Sequence, residues 1–288
     1  MQETEVLKRI TEKYPTMSAS QQRIADVILQ DPETAAFFNV AQLAKQAGVS
    51  DSTVTRFSTF LGYTGFPALS QQLQAMVRLR LTTKERLERS QSIQHEDEAS
   101  IFFSSLEDDV QNLKLMIHQL DAASLRRSAD MLDRAEKIAL VCSRSAVALG
   151  VFFEFYLNIF GKQPMVLTGE PRTMDVMNRF GPSDVVVGIG FSRYSRFTVD
   201  SLRYFKNLGV PTIAITDYAS SPLSQYALET LYCPTGIASH MDSFVAPLAL
   251  IQALLRCMAQ HVSSEQMKNL EQMWEHLDVY FKPRNDKR

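Results

Sequence analysis

Cysteine and long apolar runs are scarce in this 288-residue chain, and each scarcity excludes a class of protein. The three cysteines, Cys142, Cys233 and Cys257, are odd in number, far apart and outside any Cys-x-x-Cys spacing. That argues against a zinc knot or a disulfide framework and fits a reducing compartment. No stretch reaches the ~18 consecutive apolar residues that a membrane span needs. The opening residues Gln2, Glu3, Thr4 and Glu5 are not those of a secretory signal. The expectation is a soluble, cytoplasmic protein with no membrane partner. Neither sign of charge dominates. The net charge is −2, and the first ninety residues carry eleven Lys/Arg against nine Asp/Glu. This balance permits contact with nucleic acid at the front of the chain without demanding it. No P-loop, metal triad or Ser-His-Asp set is visible, so neither a cofactor nor a metal is expected.

Apolar residues make up 45% of the chain, enough for a sizeable core, and the length suits two domains. The first ninety residues read as helices joined by short turns. Val6, Leu7, Ile10 and Tyr14 recur at helical spacing until Pro15. Ser18 or Ser20 caps a second helix, which Asp31-Pro32 ends. Two short helices occupy 39–62, and another spans 66–81, opened by Pro67. Residues 82–100 are polar and charged and are the best linker candidate. Helical spacing returns at 101–119 and 122–134.

From residue 137 short apolar runs alternate with helical stretches. Five buried strands are expected at 138–142, 164–167, 184–189, 212–216 and 230–233. Helices are expected at 145–160, 171–180, 195–208, 220–227 and 240–261. Such alternation implies a parallel sheet with helices on both faces. A last helix carries Met267, Leu270, Met273, Trp274, Leu277 and Phe281 and stops at Pro283. The fold class is therefore α + α/β. The expected divisions are 1–81 (all-helical), 82–100 (linker), 101–136 (connecting helices), 137–262 (five-stranded parallel-sheet α/β sandwich) and 263–288 (C-terminal helix and tail).

The most informative stretch is Asn39-Val-Ala-Gln-Leu-Ala-Lys-Gln-Ala-Gly-Val-Ser-Asp-Ser-Thr-Val-Thr-Arg-Phe57. Val40, Leu43 and Ala44 share one apolar face, and Gly48 suits the left-handed turn that ends a helix. Ser50 caps the next helix, whose inward positions are Val54, Phe57 and Leu61. A helix that reads DNA needs short hydrogen-bonding side chains near its N-terminus and a cation within reach. Ser50, Ser52, Thr53, Thr55 and Arg56 are the expected DNA contacts. A plain helical hairpin with a polar outer face is the competing account. Arg78, Arg80, Lys84, Arg86 and Arg89 follow, but Glu85 and Glu88 are interleaved, which suits a solvated helix face.

In the α/β half, two strand–helix turns face the crevice at the carboxyl ends of the strands, where open parallel sheets bind ligands. The first holds Ser143, Arg144 and Ser145. The second holds Ser192, Arg193, Tyr194, Ser195, Arg196 and Thr198. Hydroxyls and main-chain amides at a helix start cradle an anion, and arginine adds bidentate recognition. Serines at such turns can instead merely cap helices. His240 and Asp242 are read as a helix start near the crevice. Glu154 is a lone carboxylate that could serve an isomerase as a base.

These residues carry a resemblance. Ser20-Gln-Gln-Arg-Ile-Ala25, Val40-Ala-Gln-Leu-Ala44, Thr53-Val-Thr-Arg-Phe57 and Leu61-Gly-Tyr-Thr-Gly-Phe66 resemble, in register over 5–80, the RpiR family of transcription regulators. That family joins this module to a sugar-isomerase (SIS) domain of flavodoxin-like fold, which the second half resembles. The resemblance implies operator DNA and a phosphosugar or another small anionic metabolite as partners. Ser145 matches the end of the family's first turn, while Val141 and Ser143 stand where glycines are usual. Ser192 opens the second loop's Ser-x-Ser-Gly-x-Thr pattern. Tyr194, Ser195 and Phe197 then depart from it, and Thr198 falls one place late.

The expected function is a non-enzymatic regulator, a dimer or tetramer, whose second domain binds an anion and modulates operator binding. The alternatives are a SIS-fold sugar-phosphate isomerase, and a DNA-binding protein whose second half only oligomerises.

Overall fold

The computed structural model describes residues 5–80, 82, 84–85, 87–88, 98–219, 221–236 and 241–280. The linker expected at 82–100 falls largely outside these residues, as do Arg86, Arg89, His240, Phe281 and Pro283.

The N-terminal module contains α1 (Glu5–Lys13), α2 (Ala19–Gln30), the single turn α3 (Pro32–Ala35), α4 (Val40–Ala47), α5 (Asp51–Phe60) and α6 (Phe66–Arg80). Ser18 and Asn39 each close a capping box, on Gln21 and Gln42, so α2 and α4 start where those side chains satisfy orphan amides. Ile10, Ile24, Ile28, Leu43, Val54, Phe57, Leu61, Leu69 and Leu73 converge on one core. Gly48 sits at φ +60 and turns α4 into α5, and Val49 N–H donates to the Ala44 carbonyl at 3.0 Å. The guanidinium of Arg23 donates to the Ala47 and Gly48 carbonyls at 3.1 and 3.4 Å, fixing the same turn from α2.

Next come α7 (Glu98–Gln119) and α8 (Ala122–Arg134). Asp121 caps α8, and Arg127 of α8 pairs with Glu229 at 2.5 Å. The sheet follows with β1 (Ile138–Cys142), α9 (Val147–Ile159), β2 (Pro164–Leu167), the turn α10 (Pro171–Met174), β3 (Val185–Ile189), α11 (Arg196–Asn207), β4 (Thr212–Thr216) and β5 (Glu229–Tyr232). Then come α12 (Val245–Ala259) and α13 (Ser264–His276). All strands are parallel, in the order β2-β1-β3-β4-β5. The central strands β1, β3 and β4 are buried throughout, as a parallel sheet covered on both faces requires. At Gly188 in β3 an added Cβ would lie 1.9 Å from Leu202, so glycine is what lets α11 approach the sheet.

The expected helix at 171–180 is only α10 and a separate 3-10 turn. That at 220–227 reduces to a 3-10 turn at Ser224–Tyr226. There Ser221 Oγ accepts from the Leu223 N–H and from Thr216 Oγ, and Pro222 lacks an amide donor; such side-chain bonds compete with a helix. The helix expected at 240–261 starts at Val245.

Candidate functional site

The exposed face of α5 carries Ser50, Ser52, Thr55 and Arg56, with Thr53 half-buried beside them. Ser50 stands at the N-cap, but its side chain makes no cap bond. Its hydroxyl is instead shared with Ser52 and Thr53, both at 2.9 Å. Three hydroxyls thus form one cluster at the start of α5, next to orphan backbone amides that favour an anion. Along one edge of α5, Asp51 and Thr55 line a cleft of about 490 Å³ between the N-terminal module and α7, where Glu107 and Asp108 face it. Tyr218, in the loop after β4, donates to the Gln71 carbonyl of α6 at 3.2 Å and so joins the two halves.

The second site lies where the strand order reverses, between β1 and β3. The topology leaves a crevice there at the carboxyl ends of the strands. A cavity of about 260 Å³ occupies it, lined by Ser143, Arg144 and Ser145 of the first turn and Ser192, Arg193, Ser195 and Thr198 of the second. Ser195 Oγ donates to Ser143 Oγ at 3.1 Å, and Ser143 and Thr198 hydroxyls lie 3.4 Å apart, so hydroxyls bridge the two turns. Arg144 and Arg193 adopt left-handed backbone, φ +56 and +66. Side-chain residues rarely accept that conformation, and it recurs at ligand sites.

Tyr194 and Arg196 do not line this cavity. Tyr194 turns inward and donates to Asp217 at 2.6 Å, and burial beside that carboxylate pushes its phenol far up. Arg196 is exposed and pairs with Asp200, one helical turn on. Glu154 accepts the Val166 amide at 3.1 Å and so anchors the edge strand β2, away from the crevice.

Sequence reasoning passed over Asp217. This buried carboxylate, just past β4, accepts both the amide and the hydroxyl of Ser192, at 2.8 and 2.5 Å, as well as Tyr194. Its only linear signal is a polar residue after an apolar strand. Asp242 and Phe244 complete the lining. Among the described residues, no cluster of His, Cys, Asp or Glu could hold a metal ion, and no helix is long and apolar enough to cross a membrane.

A helix-turn-helix with a polar outward helix, joined to a crevice-bearing doubly wound sheet, defines a two-module regulator of transcription. Comparison with known proteins makes this specific. Residues 4–78 match the helix-turn-helix domain of the rpiR family, and residues 131–256 match the SIS domain. The HTH-type transcriptional regulator HexR of Escherichia coli (strain K12) is 28% identical over 259 residues, 86% of each chain. The sugar isomerase domain of an RpiR transcription factor from Sphaerobacter thermophilus is 26% identical, with a TM-score of 0.57, covering 60% of this chain and 96% of that one. The Vibrio vulnificus NanR protein, complexed with ManNAc-6P, shares the fold across 95% of this chain and 99% of its own, with a TM-score of 0.56 at 19% identity. This chain belongs to the RpiR-type helix-turn-helix–SIS transcriptional regulators. Its curated relatives are named as regulators, and it is a regulator rather than an enzyme.

Proposed function

We propose that α5 reads an operator and that a small anionic metabolite, a phosphosugar or a sugar acid, occupies the crevice between the β1 and β3 turns and modulates DNA binding. The observation that carries this reading is the crevice itself. Two arginines in left-handed backbone and five hydroxyls converge on a cavity of about 260 Å³ at the switch point of the sheet. Guanidinium groups and hydroxyls suit a phosphate or carboxylate, and the Asp242 carboxylate suits acceptance from sugar hydroxyls. The ManNAc-6P bound by NanR fits the same ligand class. The isomerase alternative needs an acid–base pair in the crevice; Glu154 is committed elsewhere, and Asp242 is the one carboxylate in the lining.

Coupling has a candidate route. Asp217 holds Ser192 and Tyr194 of the ligand turn, and the next residue, Tyr218, is tethered to Gln71 of α6. An effector that binds better to one arrangement of that loop shifts the module attached to it. Paired operator half-sites, about one helical turn (~34 Å) apart, require two copies of the chain.

The test is a thermal-shift panel of sugar phosphates, sugar acids and inorganic phosphate. A ligand at a hundred times its Kd raises stability by about 2.7 kcal/mol. That gain is expected to vanish in Arg144→Ala and Arg193→Ala variants. A panel without a hit, or a hit indifferent to both arginines, refutes the effector site and favours a second half that only oligomerises.

A further inference from the structure

We propose that α7 shields the operator-reading edge of α5, and that DNA binding requires the N-terminal module to part from α7. The proposal rests on the reading of α5 given above and adds how access to that helix is controlled.

In a helix-turn-helix the first helix crosses the DNA backbone, and the second enters the major groove with its N-terminal residues on the bases. Here those helices are α4 and α5. The first turn of α4, Asn39 to Gln42, lines the cleft together with Asp51 and Thr55 of α5, and α7 supplies the facing wall. The edge that must meet a groove wall therefore meets protein. A major groove is about 12 Å wide and 8.5 Å deep, with a phosphate strand on either side. The cleft holds about 490 Å³, so a duplex has no room beside Thr55 while α7 stands there. Charge gives the same answer. Asp51, Glu107 and Asp108 are in the lining, and among the described residues no lysine, arginine or histidine joins them. A duplex brings one negative charge per ~1.7 Å of axis, which such a lining repels. Ser50, Ser52 and Arg56 stand outside the cleft, so the reading face is covered along one edge only.

Of the two walls, α7 is the fixed one. Leu115 and Met116 are buried, Met116 in the core of the second domain. Asn112 donates to the Gly236 carbonyl at 2.7 Å. Asp109 accepts from Ser243, whose neighbours Asp242 and Phe244 line the crevice between the β1 and β3 turns. The N-terminal module is held more lightly. It packs a core of its own, and the hydrogen bond from Tyr218 to the Gln71 carbonyl at 3.2 Å tethers it to the loop after β4. Two features of the cleft oppose its closure. Asp51 meets Glu107 and Asp108 with like charge, and Gln74 Oε1 is buried in the lining without a hydrogen-bond partner. Parting relieves both, so the arrangement is poised to open.

The experiment puts a single reporter thiol on the fixed wall of the full chain. Gln111→Cys, half-buried in the cleft, is combined with Cys257→Ser, because Cys142 and Cys233 are buried and Cys257 is exposed. The thiol is labelled with a neutral polyethylene-glycol maleimide larger than the cleft, with circular dichroism as the folding control. The probe is a mixed-sequence duplex of about 30 base pairs, long enough for two half-sites, at low salt, where sequence-independent binding is strong. Saturating duplex is expected to raise the labelling rate about threefold or more, because the DNA-bound population is the parted one. Tyr218→Phe cuts the tether without changing charge. It is expected to speed labelling without DNA and to tighten duplex Kd, each about two- to tenfold. A labelling rate that duplex lowers or leaves unchanged overturns the proposal, and so does a Tyr218→Phe variant that moves neither quantity. Arg56→Ala reports separately on α5. Duplex binding that ignores it refutes the reading of that helix, and a chain that binds no duplex with or without the tether refutes both.

Discussion

Arg144 and Arg193 are the residues whose backbones are least comfortable in the second domain, and both sit where an anion would bind. Left-handed backbone at a non-glycine residue costs of order 1 kcal/mol, so the surrounding turns must hold it. For Arg193 the holder is Asp217, which grips Ser192 on one side and Tyr194 on the other. The departure of Tyr194 from the family's usual serine thus becomes intelligible: the phenol is an anchor outside the cavity. A second carboxylate gives a pH prediction. Glu229 lies below the usual glutamate range, chiefly because Arg127 donates to it, with burial opposing. A depressed folded-state value means that its contribution is present above the unfolded glutamate range and lost as pH falls through the folded value. Glu229→Gln is therefore expected to lower stability at neutral pH by about 1 kcal/mol or less, as for a half-exposed pair. The gap in thermal midpoint should close on acidification below the folded value, and a gap unchanged by pH would contradict the assignment.

At the scale of elements, the turn between α4 and α5 decides where the face proposed to read DNA points. Gly48 has nothing within 4 Å of an added Cβ, so space does not restrict it; its φ of +60 does. Gly48→Val is expected to destabilise the N-terminal module by about 1–2 kcal/mol, the cost of a left-handed branched residue, and to weaken operator binding. Gly48→Asn, which tolerates this conformation, should retain most of both. Chemical denaturation and an operator shift assay check the pair; equal losses in the two variants would show that something other than backbone conformation is responsible. The helices expected at 171–180 and 220–227 are both cut short. In the second, Ser221 and Pro222 withdraw backbone partners locally and the chain settles for a 3-10 turn; the first makes only α10 and a separate 3-10 turn.

At the scale of the molecule, α7 stands between the two modules and carries the acidic wall that Asp51 and Thr55 face. The tether from Tyr218 to α6 ties this arrangement to the turn proposed to bind the effector. Tyr218→Phe removes the hydroxyl without emptying the space. It is expected to leave effector Kd within about twofold while reducing the effector-induced change in operator affinity by about 0.5–2 kcal/mol, the usual range for a coupling residue. Effector titration followed by operator titration, with and without effector, separates the two quantities. Unchanged coupling would move the route elsewhere, with the packing of α7 as the next candidate.

Residue order by itself determined the local features of this protein. Capping serine and asparagine, the glycine turn, five apolar runs and the two serine–arginine turns are set by neighbours a few positions apart. The helix-turn-helix, the strand positions and most of the crevice lining were legible for that reason. Tertiary structure alone decided the rest. Asp217 lies 25 residues beyond Ser192 and meets it only because β4 pairs with β3. Arg196 and Tyr194 share a loop with the cavity yet leave it, because an adjacent carboxylate or a buried one offers each a better partner. The strand order and the closing of a cleft over α5 depend on which surfaces remain after the core is packed. Packing is a contest among distant segments, so no local pattern could announce its outcome.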